Sequence, residues 1–169
     1  MMRGFAPHIL KGENMLNKFN VYRLSAKFYN DYPQSNYPEI LSKQSRPYNC
    51  LIIEHNDYTI AVPYRTEIRH RNAYMFKKSK RARTHNSGLD YSKLVIIKDN
   101  SYIDLSQCAI DRDEYTETVK NIKKITRDVT DYINAYVEHH KGKQKMDKNK
   151  YNRNYRYCTL KYFHKELEI

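Results

Sequence analysis

The sequence predicts an α+β fold: a compact, twisted antiparallel sheet with peripheral helices, one of them long and amphipathic. Three observations carry this. Two apolar segments, Tyr48 to Glu54 and Tyr58 to Pro63, meet at Asn56-Asp57, a strong hairpin signal. Further on, Tyr115, Val119, Ile122, Ile125, Val129, Tyr132, Tyr136 and Val137 recur mostly at three- and four-residue steps, the period of one helix face. The length, 169 residues, suits a single domain with its own core. That core is expected to be modest and aromatic. Mean hydropathy is -0.94, and 17 Tyr and 5 Phe without a Trp give apolar faces tipped with hydroxyls.

In chain order, Met1 to Asn14 read as an N-terminal extension. Lys11-Gly12-Glu13 can be encoded by a purine-rich ribosome-binding sequence just before Met15, so Met15 reads as the start and 15–169 as the domain. Phe19 to Leu24 alternates as a first strand, and Ser25 is placed to cap a helical turn reaching Asn30. Asp31 to Pro47, with Pro33, Pro38 and Pro47, reads as a surface loop. After the central hairpin comes a polar, basic stretch from Arg65 to Ser87, apolar only at Ala73 to Phe76. Leu94 to Ile97 and Tyr102 to Leu105 read as a second hairpin around Asp99-Asn100. The long helix is expected from about Asp113 to His140, with Gly142 ending it. A hydrophilic connector, Lys141 to Lys150, and a short helix through Leu160, Phe163 and Leu167 close the chain.

Several classes are disfavoured. No apolar run approaches the roughly 20 residues that span a bilayer, so no membrane partner is expected. Cys50, Cys108 and Cys158 are scattered and form no CxxC, which fits a reducing cytoplasm better than a disulfide or zinc framework. No HExxH, GxSxG, acidic metal cluster or glycine-rich phosphate loop is present, so no metal and no cofactor is expected.

Charge points the other way. Lys and Arg total 31 against 19 acids, giving +12 and attracting polyanions. Two stretches hold 17 of those cations. The first includes Arg65, Arg69, Lys77, Lys78, Lys80, Arg81 and Arg83, with Tyr74 and Phe76 among them. The second, Lys141 to Lys165, includes Arg153 and Arg156, with Tyr151, Tyr155, Tyr157 and Tyr162. Cations for phosphates beside rings for unstacked bases suit single-stranded RNA. The competing reading is two solvated faces whose tyrosines close the core.

Metal-free RNA cleavage uses the substrate's own 2′-hydroxyl, and needs a proton carrier and cations around the phosphorane. Pro63-Tyr64-Arg65-Thr66-Glu67-Ile68-Arg69-His70 supplies a hydroxyl, guanidiniums, an acid and an imidazole directly after a strand. His70 is the natural proton carrier. His85 and the Ser87 to Lys93 segment stand next in line.

These residues carry a resemblance. Arg46 to Glu54 followed by Tyr58 to Pro63 resembles the central strand pair of the ToxN/AbiQ family of type III toxin–antitoxin endoribonucleases, in which a P-x-[TS]-S-x-K motif follows the proline. Tyr22 to Tyr29 resembles the family's opening strand and helix, and Ser87-Gly88-Leu89-Asp90-Tyr91-Ser92-Lys93 is similar to its CptN-like branch. The resemblance implies a MazF/Kid-like barrel-type core and sequence-preferring cleavage leaving a 2′,3′-cyclic phosphate and a 5′-hydroxyl. It also implies inhibition by a repeat-derived, pseudoknotted antitoxin RNA in a closed protein–RNA oligomer, and cellular or phage RNA substrates in abortive infection. Thr66, the motif position that survives in type, would be the foremost catalytic residue, joined by Arg65, Arg69 and His70, with Arg46 where the family has a functional lysine. Tyr22, Tyr29, Ser87 and Lys93 would join the basic residues in binding RNA. The sequence departs from the motif at Arg65, in place of the first hydroxyl position, and at Ile68, in place of its lysine. The alternative is a non-catalytic single-stranded RNA-binding module; a DNA-binding regulator is weaker, since Asp128, Asp131 and Glu138 oppose a phosphate backbone on the long helix.

Overall fold

The computed structural model describes residues 21–43, 47–106 and 108–169. The readings of the 1–14 extension, the Met15 start and Arg46 concern residues outside these ranges.

The chain is α+β, with an antiparallel seven-stranded sheet that does not close on itself. Strand β1 (Val21–Leu24) leads into α1 (Ala26–Asp31), whose N-cap Ser25 accepts from the Phe28 N–H as its position suggested. β2 (Asn49–His55) and β3 (Tyr58–Arg65) form the expected hairpin, with Asn56 taking a positive φ of 53° at the turn. β4 (Ala73–Met75), α2 (Lys80–His85), β5 (Gly88–Asp90), β6 (Val95–Ile97) and β7 (Ile103–Asp104) follow. The helices α3 (Arg112–Lys120), α4 (Ile122–His140), α5 (Lys148–Tyr155) and α6 (His164–Leu167) complete the chain.

β3 is the centre. It pairs with β2 along one edge; along the other, β5 covers its end and β6 its beginning. Tyr64 faces Leu89 and Ala61 faces Val95, so the 3₁₀ turn Tyr91–Lys93 is an insertion opposite Val62 and Pro63. Pro63 is tolerated in a central strand because the ladder is already broken there. Alternation puts Leu51, Ile53, Ile60 and Val62 on one face with Tyr64, whose hydroxyl bonds Thr118 of α3 at 2.9 Å. The opposite face carries Cys50 and Pro63 toward Tyr29 and Ile40.

Four expectations need correction. The second hairpin does not form: β6 pairs with β3 and β7 with β1. Asp99 caps a 3₁₀ turn through the Ser101 N–H, and that turn carries the chain across to β1 instead of back. The long helix is two helices. At Asn121 (φ -110°, ψ 17°) the side-chain amide donates to the Glu117 carbonyl and the helix restarts. The restart lets α3 turn a polar face inward, burying Glu114, Glu117 and Thr118, while α4 buries Ile125, Val129, Tyr132, Ile133 and Tyr136. The basic stretch after β3 contains β4 and α2, and α5 begins inside the supposed connector, capped by Asp147. Gly142 (φ 72°) ends α4 as expected.

Candidate functional site

The residues after β3 are held by backbone bonds to the end of α2. The Glu67 N–H donates to the His85 carbonyl at 2.6 Å, and the Ile68 N–H to the Asn86 carbonyl at 3.2 Å. Ile68 is buried, so the residue standing in place of the motif lysine anchors this segment in the interior. Glu67 sits at φ 58°, a conformation that costs a non-glycine residue about 1–3 kcal/mol.

Two buried carboxylates of α3 fix the basic segment. Glu114 accepts from Ser79 at 3.0 Å and from Ser87 at 2.6 Å, with the Arg81 Nε 3.7 Å away. Glu117 accepts from the Tyr74 hydroxyl and from the Lys77 and Lys78 N–H groups. Hydrogen bonds to charged groups are worth about 1.5–3 kcal/mol each, enough to order a stretch with few apolar residues.

A cleft of about 520 Å³ opens against this segment. Arg23, Lys43, Arg65 and Arg81 supply its cations, Tyr48 and Thr66 its hydroxyls, and His85 an imidazole. The His85 Nδ1 lies 3.0 Å from the Glu67 carboxylate, which orients the ring. Both side chains are more than half exposed, so the pair adds little stability.

Behind the cleft lies Asp90, wholly buried. It accepts from Arg65 at 2.7 Å and from the Ser92 hydroxyl and N–H at 2.7 and 3.0 Å, and its Oδ1 is 3.3 Å from the His70 Nε2. Burial alone would raise its pKa, but the bonds from His70, Ser92 and Arg65 outweigh it and hold the carboxyl below its ordinary value. Gly88, two residues earlier, is required by close approach: a Cβ there would lie 2.3 Å from the Tyr74 carbonyl oxygen.

The expected site residues therefore divide. Arg65, Thr66 and Arg81 meet in the cleft; Arg69, His70 and Arg153 line a neighbouring hollow of about 600 Å³. Lys77, Lys78, Lys80 and Arg83 are exposed around α2. Ser87 is buried with its hydroxyl engaged by Glu114, so it presents nothing to a ligand surface. Tyr22 pairs with Cys50 within the sheet. Tyr29 and Lys93 line a cavity of only about 10 Å³. Burial lowers the Lys93 pKa, and its amine donates to the Tyr157 carbonyl at 2.7 Å. Arg156 stacks over the exposed Tyr157 ring. Arg23 and Lys43 were missed, and Asp90 was named only within the Ser87 to Lys93 segment, without a role of its own. Asp90-x-Ser92 is a local turn signature that could have marked the aspartate; Arg23 and Lys43 reach the cleft only through tertiary folding. Among the described residues, no three His, Cys, Asp or Glu side chains converge as metal ligands, and no helix is long and apolar enough to cross a membrane.

The fold and site together define an α+β protein with a cationic cleft beside its central strand. No family model, curated protein or solved structure matches the chain.

Proposed function

We propose that the protein is a metal-independent endoribonuclease acting in the cation-lined cleft, and that it serves as the toxin of an RNA-inhibited pair, with a core distantly of the MazF/Kid kind. The observation that carries the reading is Arg65: a guanidinium fixed by a buried aspartate, beside Thr66, in a cleft that also holds an imidazole with its own carboxylate. That set suits attack by the substrate's 2′-hydroxyl. A base takes the 2′ proton, O2′ bonds to phosphorus, and the bond to O5′ breaks as O5′ takes a proton. The products are a 2′,3′-cyclic phosphate and a 5′-hydroxyl.

Arg65, Arg23 and Arg81 would offset the charge growing on the phosphorane, and Thr66 would donate to a non-bridging oxygen. His85 suits the proton-carrier role better than His70. Glu67 accepts from one ring nitrogen of His85, leaving the other for substrate, whereas the His70 Nε2 is directed at Asp90 and Ser92. The family resemblance supports an RNA inhibitor filling the same cleft.

The test is purified protein with total RNA in EDTA, followed by mapping of product ends. Cyclic phosphates and 5′-hydroxyls are expected. RNA bound but intact would replace this reading with the non-catalytic RNA-binding module. Cutting lost in EDTA and restored by Mg²⁺ would defeat the metal-free mechanism.

A further inference from the structure

The hollow beyond the cleft has a different chemistry. Its floor is apolar, from buried Ile68 and half-buried Met75, and its rim carries amides and guanidiniums. The amides come from separate elements locked to one another. The Asn72 carbonyl accepts from the Tyr91 N–H at 3.0 Å, and the Asn72 amide donates to the Asn154 carbonyl at 3.3 Å. Tyr132 donates to that same Asn154 carbonyl at 2.9 Å. Asn86, at the end of α2, is fixed at φ 48° with its carbonyl accepting from Ile68. Its side-chain amide is exposed and has no hydrogen-bond partner among the described residues, and neither Arg71 nor Arg153 has an ion-pair partner among them. The hollow lacks a carboxylate in its lining, and the nearby Asp90 is already satisfied by Arg65, Ser92 and His70.

We infer that this hollow is a nucleobase pocket that seats one unstacked adenine on Ile68 and Met75, read by the Asn86 carboxamide, with Arg71 and Arg153 on the flanking phosphates. A carboxamide offers one donor and one acceptor side by side, the complement of adenine's ring nitrogen and its N6 amino group. The edge read is the one carrying N7 and N6: there guanine presents two neighbouring acceptors, O6 and N7, which an amide satisfies only in part, and thymine presents O4 beside a methyl group. Single-stranded RNA exposes these base edges, and apolar or aromatic surfaces beneath the ring supply stacking. The inference rests on the reading of the protein as one that binds RNA, and names where the strand goes on leaving the cleft: over the Thr66 to Arg71 segment that separates the two hollows.

The test compares binding of short 2′-deoxy oligoadenylate and oligothymidylate, which lack the attacking hydroxyl and stay intact. Asn86→Gly removes the amide while keeping the positive φ comfortable. Wild-type protein should favour the adenine strand about tenfold, and Asn86→Gly should lose most of that preference while binding the thymidine strand as before. No adenine preference in the wild type, or an undiminished one in Asn86→Gly, overturns the pocket. The ribonuclease reading fails separately: intact RNA in the cleavage assay alongside an Asn86-dependent adenine preference leaves the pocket standing and removes catalysis.

Discussion

The two basic stretches look alike in sequence and differ in the folded chain. In the first, from Arg65 to Ser87, the arginines at 65, 69, 71 and 81 line concave surfaces, and the segment is held by buried acids on another element, Glu114 and Glu117. In the second, from Lys141 to Lys165, most of the tyrosines turn inward. Tyr155 is buried with its hydroxyl donating to the Tyr132 carbonyl at 2.8 Å, and Tyr151 stacks on His139 at 4.6 Å. Tyr162 donates to Glu39 and packs on Tyr37. The lysines of this stretch are all exposed, and Lys161 among them pairs with Glu39 at 2.6 Å. Interleaved cations and aromatics thus frame a concave cationic surface in one place and, apart from Arg153 at the rim of the hollow, the closing edge of a core in the other. The distinguishing feature is the concave surface that the arginines of the first stretch line, since rings in both stretches have intramolecular partners: Tyr74 donates to Glu117 and Phe76 stacks on Tyr64.

The largest expected effect tests that contrast directly. Arg65→Ala, Thr66→Ala and His85→Ala should each reduce RNA cleavage by about 10²-fold or more and relieve growth inhibition, with circular dichroism unchanged. Lys148→Ala, on the second stretch, should stay as active as wild type. If the three cleft variants remain active while folded, the cleft is not the site.

A smaller effect concerns the aspartate behind the cleft. Asp90→Asn keeps the shape but removes the charge that Arg65 and His70 face, and should cost about 1–3 kcal/mol at neutral pH. Because the folded state holds the Asp90 pKa below its ordinary value, its contribution is complete above that value, near 3.9, and is lost as pH falls through the folded one. Melting temperatures of wild type and Asp90→Asn should therefore differ at neutral pH and converge below about pH 4. A constant gap across that range would mean that the carboxylate charge is not what Arg65 and His70 stabilise.

Salt dependence sharpens the comparison further. Slopes of log K against log salt should flatten by about 0.7 for each phosphate contact removed from a single strand. Arg81→Ala should show this, whereas Lys143→Ala in the solvent-facing connector should leave the slope unchanged. Equal flattening in both would restore the symmetry that the sequence suggested. The smallest effect is structural: Tyr155→Phe should lose about 1 kcal/mol of stability with RNA affinity intact. A loss of affinity without a loss of stability would return that tyrosine to the ligand surface.

The central hairpin, the Ser25 cap, the helical region after Asp111 and its end at Gly142 were legible because each rests on local physics: alternation, a capping hydroxyl, a 3.6-residue period, a permitted positive φ. Thr66 and Arg65 were legible as candidates because they directly follow a strand whose boundaries the sequence marks. The second hairpin was not, because a short apolar run does not say which strand it will pair with; β6 joined β3 and β7 joined β1. Nor could sequence show that α3 breaks from α4 at Asn121 in order to sink two glutamates against a basic segment some forty residues away. Sequence by itself determined the α+β class, the density of charge and the place where the chemistry is expected. Only the tertiary structure decided which cations share a cleft, that Asp90 stands behind Arg65, and which tyrosines are core. The physical reason is that a buried charge must find its partners wherever the chain brings them, and desolvation, a property of the whole packed interior, decides which pairs persist.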